Sequence, residues 1–457
     1  MNLVRSNVTI VFMGVVTLVV ALASVYFPSI ILMYALGVLV VSSTLVVLSR
    51  NKYGIAHLMS GYIVGIEVFF RMVKTGVPWE YGKYAVIVLL SLGLLMEKRK
   101  PKIPKFFLFY LLLFIPSILL TFGLIDFERA RQLVVSNIGG QLVLFVSVLY
   151  FYKRKFSDAD FQVLSKMIII GIIAMTLFTY FRISDFIAIA YTANSNPEAS
   201  GGFSGNQVST VYGLGIVLLG ISLYRSKVLF SSKVVDAGLF FTFLLFGFLT
   251  FSRGGMAGAF LTLIITVFVY KFLTPRQNKI NKSGMKLRSL IIIGIVISSA
   301  FFIINQLTGD ILQQRYLNVD KYGEYRESKD ITTNRGKIFS ADIKLFEENL
   351  ITGVGVGMGF SERKQYLGFV TASHTEFSRI LAEHGFLGLF ILTLMLFLPL
   401  YRYIKSRRSP ETILILTALV IYAFITMTHS AMRLALPGFI YGVGMIYLVR
   451  NELKNEK

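Results

Sequence analysis

Cysteine is absent from this sequence, which removes disulfides, thiolate chemistry and any Cys-based metal site from consideration. Charge is scarce as well. Only 15% of the 457 residues are charged, while 55% are hydrophobic, far too apolar for a soluble globular protein of this size. Acidic groups are few beside basic ones, 24 against 46, for a net charge of +22. The lysines and arginines sit in short clusters between apolar runs, where they act as membrane-topology signals, so no nucleic-acid partner is expected. The chain shows neither an internal repeat nor a low-complexity tail. The opening "MNLVRSN" runs straight into a hydrophobic stretch with no small-residue cleavage pattern, so the first helix is expected to be a retained anchor.

What the sequence has in abundance is long apolar runs. Fourteen are expected to span a membrane, at about 8–27, 29–48, 55–72, 82–96, 106–123, 133–151, 163–181, 206–224, 234–252, 255–271, 289–307, 385–400, 411–428 and 434–449. Most are long enough to cross a hydrocarbon core of about 30 Å as a helix. They are continuous rather than alternating, which excludes a β-barrel. The expected fold is all-α: a polytopic transmembrane helical bundle forming one integral membrane domain over 1–457.

With the N-terminus in the cytoplasm, "EKRKPKIPK" (97–105), "YKRK" (152–155), "KFLTPRQNKINKSGMKLR" (271–288) and "YRYIKSRR" (401–408) all fall on the cytoplasmic side. Together with the other connections on that side they hold about 27 of the 46 Lys and Arg, as the positive-inside rule requires. An even span count returns the C-terminus to the cytoplasm too. Outside, two connections are long: 182–205, and 308–375, where a small extracytoplasmic subdomain has room to form. Within the latter, the phase of Ile338, Ile343, Phe346 and Leu350 suits an amphipathic helix lying against the membrane or a cavity roof.

The polar groups worth explaining gather on that outer side. In "TASHTEFSRILAEHGFLGLF" (371–390), Ser373 and Glu376 have capping-box spacing, which would place His374 at the first helical position. The positive end of the helix dipole disfavours an imidazolium there, and a neutral imidazole can take a proton from a hydroxyl. His374 is therefore either a general base or simply the end of an interfacial loop. "AEHGFLGL" (382–389) reads as a helix ending near His384 and Gly385. His384 lies ten residues beyond His374, and no second ligand cluster accompanies them, so no metal site is expected.

Arg253 in "LTFSRGGMAGAF" (249–260) precedes two glycines at a span start: an anion site or a tight turn with a snorkelling arginine. Arg335 in "TTNRGKIF" (332–339) is a second cation of this kind, with Thr333 or Asn334 capping the helix behind it, or else a solvated helix end. "GVGVGMGF" (353–360) lacks the Lys-Ser/Thr of a P-loop and reads as a turn folding the long loop back over the membrane. Asn206, in "EASGGFSGNQVSTVYG" (198–213), either caps the next span or contacts a sugar. Glu67, Asp236 and Arg433 are isolated charges near membrane level, read first as members of structural pairs.

The ordered set "SGGFSGNQ", "TFSRGG", "NRGKIFSADIKLFEENLITGVGVGMG" and "SHTEFSRILAEHGFLGL", over about residues 198–390, resembles the O-antigen ligase and polymerase superfamily of bacterial envelope glycosyltransferases. The resemblance implies an undecaprenyl pyrophosphate-linked oligosaccharide as donor and a sugar hydroxyl of a glycan acceptor. It assigns the catalytic histidine to His374 and two arginines, taken as pyrophosphate-binding, to Arg253 and Arg335. Asn206, Arg433 and Glu383 complete the candidate substrate-binding set. Thr375 stands where ligases usually carry Asn, Phe339 near a frequent Trp, and Asn349-Leu350 in place of a common Pro. These departures bear on the ligase assignment rather than on the superfamily.

The expected activity is therefore inverting, metal-independent and cofactor-free glycosyl transfer on the outer face of the bacterial inner membrane, polymerising surface polysaccharide repeats. The alternatives are a ligase moving a finished glycan to lipid A-core or another terminal acceptor and, from another class, a polysaccharide transporter or flippase. Transporters carry internal repeats and midplane polar groups on broken helices, whereas these polar groups gather at one rim. Beyond substrates and membrane lipids, a chain-length regulator is a candidate partner.

Overall fold

The computed structural model describes residues 7–98, 102–183, 189, 197–273, 287–319, 334–406 and 409–449. It is almost wholly helical; the strands among the described residues are a two-residue parallel pair, Lys155–Phe156 with Tyr447–Leu448. Among the described residues ten helices are long and apolar enough to cross a membrane, or eleven if the bent pair Gly294–Leu307 and Ile311–Leu317, angled at 117°, makes one span. The protein is multi-pass.

This count is lower than the fourteen expected spans, and the reason is local. Tyr81–Met96 and Lys233–Leu249 are helices of 16 and 17 residues, about 24–26 Å long and so short of a hydrocarbon core of about 30 Å. The last run holds an eight-residue helix, Leu436–Val443, only about 12 Å long. Beyond it the chain turns into the strand Tyr447–Leu448. An apolar run of the right length is thus not always one straight helix.

The bundle has a buried centre and a lipid-facing rim. Ile55–Val73 and Gly205–Tyr224 are buried along nearly their whole length, whereas Val8–Tyr26 and Ile30–Leu48 expose most of theirs. Small residues make the central packing close. A Cβ on Gly65 would lie 2.1 Å from the carbonyl oxygen of Ile168, and one on Gly171 2.6 Å from the backbone of Gly65, so Ile55–Val73 and Asp158–Arg182 cross backbone to backbone.

The helix Glu376–Lys405 is broken at Gly385, whose φ of 58° and ψ of −136° are not helical. The glycine stretch of 353–360 caps the break. Val354 N–H donates to the Ala382 carbonyl at 2.9 Å and Gly355 N–H to that of Glu383 at 3.2 Å, while Phe386 N–H donates to Leu350 O at 2.6 Å. The first two bonds satisfy carbonyls that the helix end before the break leaves without partners, and the third satisfies an N–H of the segment that begins after it. The loop thereby returns to the bundle.

Candidate functional site

Asp342 organises the outer loop. It lies on the helix Arg335–Glu348 and is fully buried. It accepts from Arg363 Nε at 2.6 Å, Ser373 Oγ at 2.9 Å and Ser378 Oγ at 2.6 Å. A buried carboxylate requires such partners. The face it shares consists of Ile338, Ala341 and Leu345, so the buried stripe differs from the expected one, and Leu350 is exposed. Turning Asp342 inward sets the phase and packs the helix on Glu376–Lys405.

Ser373 is consequently not a helix cap. The helix begins at Glu376 with Thr375 at the N-cap position and no side-chain capping bond, so His374 lies in the chain before the helix, and the capping-box reading is corrected. Glu376 instead holds Arg379 at 2.5 Å and accepts a short bond from Gln141. Arg379 also meets Glu383 at 2.9 Å. Asn206, likewise, does not cap its helix: Ser204 occupies that position, and Asn206 Oδ1 accepts from Ser252 Oγ at 2.9 Å, next to Arg253. Asn334 is at the N-cap position of Arg335–Glu348 but makes no capping bond with its side chain; Thr333, with the rest of 320–333 in the long outer connection, lies outside the described residues.

The segment after Pro410–His429 carries Arg433 and is pinned by two carboxylates. Glu376 Oε2 accepts Met432 N–H at 3.3 Å, and Glu67 Oε2 accepts Ala435 N–H at 2.9 Å. Glu67 is itself paired with Arg71 at 2.5 Å, and Arg71 Nη2 donates to the Arg433 carbonyl at 3.0 Å. Ala431 N–H donates to the His374 carbonyl at 3.1 Å, and Arg433 Nη2 to that of Ser373 at 3.2 Å. The backbone of His374 is therefore stitched to the Arg433 segment. Asp236, by contrast, accepts the N–H groups of Leu229 and Phe230.

His374 is half-buried, and its Nδ1 is buried with no hydrogen-bond partner among the described residues. Burial lowers its pKa to about 4, with Arg433, Arg335, His429 and Arg363 adding to the shift. The imidazole is therefore neutral at physiological pH. The cause is burial and surrounding cations rather than the helix dipole. Burial, then Arg253 and Arg433, hold the Arg335 guanidinium below its ordinary pKa; burial does the same to Arg433, where Glu376 opposes it. Among the described residues neither Arg335 nor Arg433 forms an ion pair. Arg253 Nη1 donates to the Arg315 carbonyl at 3.2 Å. The glycine after it serves packing: a Cβ on Gly254 would lie 2.7 Å from the His429 ring. His374, Arg335 and Arg433 thus form one electrostatic neighbourhood, joined to Arg253 through Arg335.

Beside it lies a cavity of about 250 Å³. Arg433 and Glu383 line it, as do Ala372 and Ser373; His374, Arg253, Arg335 and Asn206 do not. Five of the six expected site residues therefore divide into a cationic cluster around the imidazole (His374, Arg253, Arg335, Arg433) and a polar cavity next door (Glu383, with Arg433 common to both), while Asn206 adjoins Arg253 through Ser252. Asp342, Arg363 and Arg379 escaped sequence reasoning, although each left a signal. Asp342 is a carboxylate on an apolar helical face, and Arg379 stands three and four residues from Glu376 and Glu383.

No curated protein gives a significant match to the chain. Residues 238–393, about a third of the chain, which contain Arg253, Arg335, His374 and Glu383, match the family model described as O-antigen ligase, in line with the resemblance to the O-antigen ligase and polymerase superfamily seen in the sequence.

Proposed function

We propose that the protein transfers a glycan from an undecaprenyl pyrophosphate-linked donor to a sugar hydroxyl on the extracytoplasmic face of the bacterial inner membrane, polymerising surface polysaccharide repeats. Both termini then lie in the cytoplasm. His374 is the general base, and Arg253, Arg335 and Arg433 bind the pyrophosphate. One observation carries the reading: a neutral imidazole sits among guanidinium groups of which Arg335 and Arg433 have no carboxylate partner among the described residues.

The chemistry follows from that pairing. The acceptor oxygen attacks the anomeric carbon as the bond from that carbon to the phosphate oxygen breaks. The pyrophosphate leaves with the bonding electrons, and the imidazole takes the hydroxyl proton. Negative charge grows on the leaving oxygen, where preorganised guanidinium groups stabilise it most. Attack opposite the leaving group inverts the anomeric centre. A bound dianion also offsets the field that depresses the His374 pKa, so the base strengthens when the donor arrives.

Purified protein supplied with lipid-linked repeat units tests this. A ladder of products is expected; a single transfer to lipid A-core or another acceptor would make the protein a ligase, and no joining at all would remove the reaction.

A further inference from the structure

The cavity beside the cationic cluster differs from it in chemistry. Three carboxylates, Glu80, Glu376 and Glu383, line it together with Lys83, Arg363 and Arg379. A pyrophosphate only accepts hydrogen bonds and is repelled by carboxylates, whereas each hydroxyl of a sugar both donates and accepts. A wall carrying both kinds of group therefore suits a sugar. At about 250 Å³ the space is slightly smaller than the roughly 300 Å³ at which drug-sized pockets begin, which fits one ring rather than a whole repeat unit.

Two features are built for a ligand. Arg363 is 1% exposed. Its Nε binds Asp342 and its Nη1 donates to the Thr371 carbonyl at 3.0 Å, yet its Nη2 is buried with no partner among the described residues. A buried donor left in this way is costly unless something occupies it. Glycine at 359 keeps the space before it open, since a Cβ there would lie 3.0 Å from Arg363 Nη2 and 3.3 Å from Glu383 Oε1. The second feature is Trp79, the one tryptophan in the chain. It lines the cavity while 55% exposed, and it is held by the Arg71 guanidinium 4.7 Å from its centroid and by Phe203. An indole fixed at the mouth of a polar cavity offers an apolar face to the C–H side of a sugar ring.

We infer that this cavity is the acceptor subsite, taking one sugar ring against Trp79 with its hydroxyls on Arg363 Nη2 and Glu383. The inference rests on the proposed glycosyl transfer for the ring's role as acceptor, and on the cavity alone for its binding. Ala372 and Ser373 form part of the wall, so a ring seated here lies beside His374. Arg433, shared with the cationic cluster, marks the boundary between acceptor sugar and donor pyrophosphate.

Trp79 supplies its own readout. Full-length protein in detergent is titrated with the repeat-unit oligosaccharide released from the source cell's surface polysaccharide, and separately with inorganic pyrophosphate, while tryptophan fluorescence is followed. The oligosaccharide is expected to change the emission saturably and pyrophosphate is not. In turnover, Trp79→Ala is expected to raise the acceptor KM about tenfold, a stacking loss of roughly 1.4 kcal/mol, with kcat and the donor KM kept and Trp79→Phe restoring most of the affinity. Emission that answers pyrophosphate but not the oligosaccharide, or an unchanged acceptor KM in Trp79→Ala, overturns the subsite. Because the titration needs no turnover, sugar binding by a protein that joins no glycans would count against the reaction and for the subsite.

Discussion

Arg433 donates through Nη2 to the backbone carbonyl of Ser373 at 3.2 Å, tying a guanidinium of the cationic cluster to the residue that precedes the imidazole of His374. Ala431 N–H makes the neighbouring bond to the His374 carbonyl. Base and cation therefore move as one unit, although 58 residues, including the two candidate spans Glu376–Lys405 and Pro410–His429, lie between them in the chain.

Replacing Arg335 or Arg433 with Gln should lower kcat/KM about 10²- to 10³-fold, the usual cost of removing a preorganised group that stabilises developing charge. The deficit should show in donor titrations, with the acceptor KM less affected for Arg335→Gln because Arg335 does not line the sugar-sized cavity. Lysine should rescue poorly, since an ammonium cannot reproduce the planar fork on a phosphate.

The pH dependence should carry the signature of His374. Its pKa in the free protein is lowered to about 4, so the neutral, proton-accepting form persists as pH falls past the ordinary histidine value of about 6.5. The acid limb of kcat/KM, which reports the free enzyme, should therefore fall near pH 4. The limb of kcat should lie higher, because bound pyrophosphate offsets the arginines. A kcat/KM inflection at 6.5 would show an unperturbed histidine or a different base.

Asp342→Ala should destabilise the protein by about 3–5 kcal/mol, because it strands the buried Arg363 guanidinium without its carboxylate. Pairing that change with Arg363→Met should recover much of the loss in a thermal melt. If the single and double variants melt alike, the pair does not hold the outer loop in place.

Much of this architecture was legible in advance, and the failures have physical causes. Continuous apolar runs marked the helices, and the break at Gly385 was visible as a glycine after a polar helix end. Ten or eleven helices of spanning length stand among the described residues where fourteen runs were expected, because hydropathy does not register helix length: Tyr81–Met96 and Lys233–Leu249 are short, and the last run holds only the eight-residue helix Leu436–Val443. Ser373 and Glu376 had capping-box spacing, but Asp342 and Arg379, distant or unremarked in sequence, compete for those side chains. Local pattern loses to a buried ion pair because leaving a buried charge unpaired costs more than losing a cap. The sugar-sized cavity was invisible for the same reason: Trp79, Arg363 and Glu383 are brought together only by the fold.

Gly385→Ala should be poorly tolerated. A Cβ there would lie 2.5 Å from the Leu350 carbonyl, and the left-handed φ is itself strained for a side chain, at about 1–3 kcal/mol. A lower melting temperature with reduced activity is expected, as the glycine turn that caps the break is pushed away; a melt matching wild type would show that the break relaxes freely.

The most direct test separates binding from chemistry in a single preparation. Donor binding and product formation are measured on His374→Ala and on the double variant Arg335→Gln/Arg433→Gln, with labelled undecaprenyl pyrophosphate-linked repeat units. The account predicts that His374→Ala binds donor as wild type does and forms product at least about 10²-fold more slowly, while the double variant loses donor binding. Product from His374→Ala at the wild-type rate would contradict it.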